Sequence, residues 1–429
     1  MTVEHVLAQK TARAAACLPA WALSFLLGAA TIVGCADDPV VPPTGSTIHG
    51  TVEDSNGQPA PGVVIVVGGR PAVTSAADGS FHVDGVGSLY DVSVIQDSTN
   101  ASVYMGLTRR DLRFFVSKGS VSRLATISGT VPPAPGKKTL IVFTPSDFVA
   151  RSMADTNTGF FGMNVVWSSL EATRAGTLYV LRWTDDIEGR PAEYDAFGRR
   201  DLLLTDQAEL VNQDFTELDF TDPPEAEISG SITIPTGHEL ESVTTFMRVG
   251  PGSVRLFTQS GVSAPFSTFD YVVPSIPGAT FQLQGFATFG GFSRSHIMLY
   301  RNGIVPPATN LVLAMPEAHE IVEPAQGAAD IDYSTVFQWT EGGRTGVYVV
   351  LMSIGTRQFT IALGGTSTRI PDLNAYGLGL PAGAAGHWHV YKLFPFSSMD
   401  ELVGNEDWRT LEPESGDIHT EVRDFTMRP

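Results

Sequence analysis

Four groups of residues have the types and spacing that chemistry requires. His238 and Glu241 form a His-x-x-Glu pair, a spacing that can present two zinc ligands from one segment. They follow Pro235-Thr236-Gly237, which sets them in a turn, and no third ligand stands at a matching place, so a solvated turn is expected. His387 and His389 lie two apart and would share one face of a strand, where two imidazoles could hold a metal together. Trp388 between them points to the opposite face, and the expectation is a solvent-facing pair over an inward tryptophan. Asp54-x-Asn56-Gly57 has the opening of a calcium loop but lacks its later acidic ligand; a hairpin turn fits it better. The fourth group is a thiol: Cys35 ends the run Ile32-Val33-Gly34-Cys35, and Cys17 is the only other cysteine. The chain has no Gly-x-Ser-x-Gly elbow, no Gly-rich phosphate loop and no His-Glu-x-x-His. The sequence therefore assigns no catalytic residue, no cofactor and no metal ligand. Phe160, Phe161, Trp167, Tyr271, Phe281, Phe286, Phe289 and Phe292 could include a platform for stacking on sugars, but core packing is the preferred reading.

What surrounds Cys35 decides its chemistry. Lys10 and Arg13 precede an apolar run from Ala14 to Val33, and small residues then lead into the cysteine. Ile32 to Cys35 resembles the lipobox of bacterial lipoprotein precursors. That resemblance implies that residues 1–34 are a signal peptide, that Cys35 becomes the first mature residue with a diacylglycerol on its sulfur, and that the protein is anchored in the cell envelope, at the outer membrane. An uncleaved membrane helix is the alternative, because the run approaches the roughly 20 residues that span a bilayer. Pro19 inside the run and the switch to Ala36-Asp37-Asp38-Pro39 favour cleavage. Residues 35–46, with Pro39, Pro42 and Pro43, read as an extended tether; at about 3 Å per residue it reaches roughly 30 Å from the membrane.

Behind the tether, 43 Gly and 28 Pro among 429 residues indicate many turns joining short strands, in a chain too long for one core. Residues 1–34 hold Glu4 against Lys10 and Arg13, so their removal takes the net charge from −19 to −20. Such a surface repels nucleic acid, which excludes that class of partner. With no cysteine pair left after processing, the fold must rest on hydrophobic cores.

The chain also repeats itself. Ile48-His49-Gly50-Thr51-Val52, Ile127-Ser128-Gly129-Thr130-Val131 and Ile228-Ser229-Gly230-Ser231-Ile232 are three versions of one opening strand at a spacing suited to single β-sandwiches. Arg109-Arg110-Asp111-Leu112 and Arg199-Arg200-Asp201-Leu202 form a second echo, expected to guard edge strands, with a partner site as the other reading. In the first unit Asp54 to Gly57 makes a turn, Gly62 to Val67 a continuous apolar strand, and Asp78-Gly79 turns into Phe81-His82-Val83, with Phe81 inward and His82 outward. Gly50, Val52, Asn56-Gly57, Pro59, Gly62, Val63, Thr74, Asp78-Gly79, Phe81 and Tyr90 resemble the carboxypeptidase regulatory-like module, a transthyretin-like β-sandwich, across residues 46–124. A related family has a Lys–Asn isopeptide bond, but the opening strand here has no lysine. The second and third units share the opening strand but lack the Asp-Gly turn, and Trp183 to Arg190 reads as a polar loop.

A last unit begins near Ala318. Val336 to Trp339, Val347 to Val350, Thr368 to Leu373 and Trp388 to Tyr391 resemble a fibronectin type III-like sandwich with Trp339 and Tyr348 in its core; Met399 to Trp408 reads as a short helix or a bulging loop. The expectation is an all-β chain of tandem Ig-like and transthyretin-like β-sandwich modules behind a lipoprotein signal peptide. Its units are 47–124, 125–222, 226–316 and 318–429. The functional expectation is a lipid-anchored, non-enzymatic envelope protein that displays binding or spacer surfaces, with envelope proteins or polysaccharide as partners. A carbohydrate-binding accessory lipoprotein of an export or polysaccharide-degrading system is the alternative, and a metal-dependent hydrolase the third reading.

Overall fold

The computed structural model describes residues 45–54, 57–117, 121–145, 148–250, 252–260, 266–289, 295–404, 411 and 413–429. Cys17, Cys35, the tether as far as residue 44, Asn56, Phe292 and Trp408 lie outside the described residues. The chain is all-β, a set of Ig-like β-sandwich repeats.

The first unit comprises β1 (Ser46–Asp54), β2 (Val64–Val67), β3 (Val73–Thr74), β4 (Ser80–Val86), β5 (Tyr90–Ile95), β6 (Asn100–Leu107) and β7 (Asp111–Val116). The second has β8 (Ser122–Thr130), β9 (Lys138–Pro145), β10 (Ala150–Met153), β11 (Phe160–Ser168), β12 (Thr173–Asp185), β13 (Pro191–Thr205) and β14 (Glu209–Leu210). The third has β15 (Glu225–Thr233), β16 (Glu239–Val249), β17 (Gly252–Ser260), β18 (Phe266–Pro274), β19 (Thr280–Thr288), β20 (His296–Ile304) and β21 (Ala308–Ala314). All three follow one plan. The opening strand lies between the fourth, antiparallel to it, and the seventh, parallel to it; the third, second, fifth and sixth strands form the facing sheet in that order.

The opening strands explain why the plan recurs. Each sets its glycine directly opposite a phenylalanine: Gly50 faces Phe81, Gly129 faces Phe161 and Gly230 faces Phe269. A side chain there has no room, because a Cβ at Gly50 would stand 2.4 Å from the Phe81 ring and one at Gly230 would stand 2.8 Å from that of Phe269. The flanking apolar residues, Ile48 and Val52, Ile127 and Val131, Ile228 and Ile232, are all buried. Phe81 is buried and His82 exposed, which fixes the register of β4.

The turn expected to be missing from the second unit is present with other residues. Gly79 and Gly159 both adopt left-handed φ, 75° and 72°, and each carbonyl accepts the amide of the opening strand, Val52 or Val131, at 2.9 Å. Thr158-Gly159 thus replaces Asp78-Gly79, with Asp155 accepting the Thr158 amide at 2.8 Å. The second echo fails by contrast. Arg109 to Leu112 enter the seventh strand of their unit, whereas Arg199 to Leu202 lie inside β13, the sixth strand of theirs. β8 begins at Ser122 and β15 at Glu225, so the expected boundaries at 124/125 and 226 fall within strands.

The fourth unit contains β22 (Ile321–Glu323), β23 (Ala328–Ile331), β24 (Phe337–Trp339), β25 (Val347–Ile354), β26 (Arg357–Leu363), β27 (Ser367–Thr368), β28 (Ala385–Phe394), α1 (Met399–Gly404), β29 (Glu414–His419) and β30 (Arg423–Met427). One sheet runs β22-β24-β27; the other runs β26-β25-β28, with β29 and β30 pairing successive stretches of β28. Trp339, Tyr348 and Trp388 fill its core.

This unit is joined to two others by backbone pairing. β26 runs parallel to β6 from Gln358–Asn100 to Ala362–Tyr104, and β29 runs antiparallel to β20 from His419–His296 to Glu414–Arg301. The larger sheets of the third, fourth and first units therefore form one 14-stranded sheet. A clamp reinforces the first seam: Asp400 of α1 accepts the amides of Thr108 at 2.9 Å and Arg109 at 3.1 Å, and Arg109 Nη1 donates to the Asp400 carbonyl at 3.0 Å. The second unit keeps both its sheets to itself. It meets the third through a face, with Leu140, Val142, Leu181 and Trp183 packed into the same core as Met247 and Val254. That outer contact explains the unbroken apolar run in β9, buried on both sides.

Candidate functional site

Among the described residues, a cluster of titratable side chains forms at the seam between β20 and β29. His296 lies directly opposite His419, and the alternation of strand side chains puts Asp417 on the same face as His419. On the other side of β29, Tyr391 of β28 is also opposite His419, with His389 two residues earlier on that face. The rings close up accordingly: the His296 and His419 centroids are 3.9 Å apart, and the Tyr391 ring meets His419 edge-on at 3.8 Å. His419 Nε2–H donates to Asp417 Oδ2, and His389 Nε2 is 2.8 Å from the Tyr391 hydroxyl. One donor atom each from His296, Asp417 and His419 lies within 4.8 Å of the others.

Two features bear on what this arrangement can do. Burial pushes the His296 imidazole down to about 4, with His419 adding to the effect, and burial likewise holds His389 near 4, helped by His419, His387 and His296. Both rings are therefore neutral at neutral pH, the form that ligates metals. Asp417 is only 2% exposed, and its Oδ1 makes no hydrogen bond among the described residues. A buried carboxylate oxygen without a partner is costly unless a cation or donor meets it. Two imidazoles and a carboxylate suit borderline cations such as zinc, nickel or copper.

The pairs singled out by sequence separate. The His238 ring packs against Phe289 at 5.4 Å between centroids, while Glu241 accepts the Thr288 hydroxyl at 2.7 Å. His387 is exposed and Trp388 fully buried, as the alternation requires, but His389 is half-buried and reaches Tyr391. Asp54 makes a turn, with its carboxylate accepting the Gln58 amide at 2.9 Å and Gly57 at a φ of 68°. The loop after Trp183 is short and closed on itself: Asp186 accepts the amides of Glu188 and Arg190 and the Arg190 side chain. Of the aromatic residues, Phe161, Trp167, Tyr271 and Phe281 are core, Phe286 is half-buried beside His296, and Phe160 and Phe289 are exposed in different units. Cys35 and Phe292 lie outside the described residues. Sequence reading missed His296, Asp417 and His419. The only available signal was the His-x-His spacing that Asp417-Ile418-His419 also shows, since nothing in the sequence pairs that strand with His296.

A groove of about 590 Å³ runs between the first and fourth units, lined by Val66, Asp91, Met105, Arg369 and Asp372 among others. Its carboxylates already serve the backbone: Asp91 accepts the Gly106 amide at 2.8 Å and Asp372 that of Asn374 at 3.2 Å.

No protein-family model matches the chain, and no curated protein matches it by sequence. Among solved structures, the TIE protein of Bacillus anthracis is 9% identical with a TM-score of 0.16, over 63% of this chain and 50% of that one; the chain thus spans half its length. A Ca2+-stabilised adhesin that helps an Antarctic bacterium bind ice is 13% identical with a TM-score of 0.14, covering 82% of this chain and 95% of that one. A tetra-tandem repeat from the extending region of a large adhesion protein is 12% identical with a TM-score of 0.18, covering 89% and 99%. Superposition this loose bears on neither ligand nor partner.

Proposed function

We propose that this is a non-enzymatic, lipid-anchored envelope protein whose β-sandwich units act as a rigid binding or spacer body. The observation that supports the reading is the shared sheet: three units held by continuous backbone hydrogen bonding present a stiff block rather than a flexible string or an open catalytic cleft. The anchor rests on Ile32 to Cys35, the tether on residues 35–46, and the location on the cell surface follows from both. In this reading 47–124 is a carboxypeptidase regulatory-like module, 125–222 and 226–316 repeat its strand order, and 318–429 is fibronectin type III-like. A polysaccharide platform would need a row of exposed rings, and among the described residues Phe160 and Phe289 do not form one.

The anchor is tested by metabolic labelling with radioactive palmitate in a bacterial host. The wild-type chain should label and shorten by its signal peptide, and Cys35→Ser should remain an unlabelled precursor. An unlabelled wild-type chain would refute the anchor.

A further inference from the structure

We propose that His296, Asp417 and His419 bind a divalent transition-metal ion, zinc being the test case, which staples the third unit to the fourth across the β20–β29 seam. The argument starts from register. Antiparallel pairing of His296 with His419 brings their side chains together on one face, and Asp417, two residues before His419, adds its carboxylate on that face. Each residue offers one donor atom within 4.8 Å of the other two, so side-chain rotations alone would draw them to the roughly 3.4 Å that separates ligands around one tetrahedral zinc ion. A nearly fully buried Asp417 supplies the second observation: His419 meets its Oδ2, but its Oδ1 has no hydrogen-bond partner among the described residues and is a buried acceptor that a cation would satisfy. His296 is half-buried, which leaves an entry path from its side, and a water or the exchange partner of the ion would complete a tetrahedral shell.

The position argues for a structural ion. The three ligands come from two strands belonging to different units, so binding adds a cross-link beside the β20–β29 ladder and the contacts of Asn302 and Arg344 that already join the two sandwiches. The site is also distinct from His238–Glu241, since Glu241 is engaged by Thr288 one strand further away.

The experiment uses the full chain in detergent, without an affinity tag, stripped with chelator and dialysed. Zinc binding is followed by calorimetry with metal analysis, and cobalt substitution by visible absorption. One equivalent should bind with Kd about 10 µM or tighter, and cobalt should give the intense bands of a low-coordinate nitrogen–oxygen site. Asp417→Asn and His296→Gln should each weaken binding about 100-fold, whereas His387→Gln and His238→Gln should leave it unchanged. If Asp417→Asn does not fold, His296→Gln at the half-buried position decides alone. Zinc should also slow amide hydrogen exchange in both β20 and β29. The proposal is overturned by the absence of stoichiometric binding, by binding that survives His296→Gln, or by binding that leaves exchange at the seam unaltered.

Discussion

The sixth strand of the plan occupies the same sheet edge in three units, yet it meets three different fates. In the first and third units the edge is covered, β6 by β26 and β20 by β29. In the second, β13 stays uncovered apart from one bridge between Phe197 and Thr221. The sequences differ accordingly. β6 reads NASVYMGL with no charge, and β20 has Arg301 as its one permanent charge, whereas β13 carries Glu193, Asp195, Arg199, Arg200 and Asp201. An open edge invites pairing by any passing strand, and charged residues along it are the common defence. The lesson is that the composition of an edge strand records whether another unit covers it.

The comparison can be broken at several strengths. The largest effect is expected from the aromatic residue facing the opening-strand glycine: Phe81→Ala and Phe161→Ala should each cost about 3–5 kcal/mol. Urea unfolding should separate them, because loss in the first unit shifts the transition shared with the fourth and third, while Phe161→Ala produces an earlier, separate transition of the second. Identical single transitions for the two variants would show that the shared sheet does not divide the molecule.

Gln358→Pro tests the covered edge directly. Gln358 is exposed, so the change mainly removes its amide from the Thr99 carbonyl, a bond of 2.7 Å, and it should cost roughly 2–3 kcal/mol. Hydrogen exchange should accelerate in β6 and stay unchanged in β13. Equal protection of β6 in variant and wild type would remove the seam from the account.

Acid separates the two regions by another route, since residues 125–222 contain no histidine. His319 is buried in the fourth unit edge-on to Tyr348, and burial pushes its pKa down to about 3. An unfolded chain therefore binds a proton that the folded one refuses, so stability falls as pH drops from about 6.5 towards 3, with a slope approaching about 1.4 kcal/mol per unit. The fourth unit should melt earlier at pH 5 than at pH 7, and the second should not; His319→Gln should flatten the slope. A second unit equally sensitive to acid would contradict this assignment.

Asp400→Ala should have a smaller effect, roughly 1–2 kcal/mol, through the amides of Thr108 and Arg109 left without their acceptor. Smallest of all, His82→Ala should stay within about 0.5 kcal/mol because the side chain is exposed beside the buried Phe81. An effect at His82 matching that at Phe81 would mean β4 is in another register.

Much of the sandwich plan was legible because it is local. The Ile-x-Gly opening strands, the inward Phe81 and the Trp388 side of β28 all follow from alternation within a few residues. Two local readings misled. Asp78-Gly79 marks the turn in the sequence, but what the geometry needs is the left-handed glycine and the carbonyl it offers to Val52, which Gly159 supplies as well. The Arg-Arg-Asp-Leu echo repeats letters at different places in the plan: Arg199 to Asp201 lie on the open edge strand β13, as an edge guard should, whereas Arg109 serves the fourth unit. The seams and the histidine cluster were illegible for a different reason. Which distant strand pairs with β6 or β20 is set by the packing of whole sandwiches, and only that pairing brings His296 to Asp417 and His419.

The clamp between the first and last units also imposes an order in time. A chain made from its N-terminus presents β6 long before its partner exists: Arg357, which donates to the Ser98 carbonyl, follows it by 259 residues. Closing a loop of that length costs only logarithmically more than closing a short one, but contacts so distant in sequence slow the search. The first sandwich must therefore wait, with one apolar edge bare and its core lacking Val347, Ala362, Leu393, Phe396 and Met399, until the final unit is delivered. A chaperone that shields strand edges during that interval would raise the yield of the intact protein, and chains released before residue 363 would be the ones that aggregate.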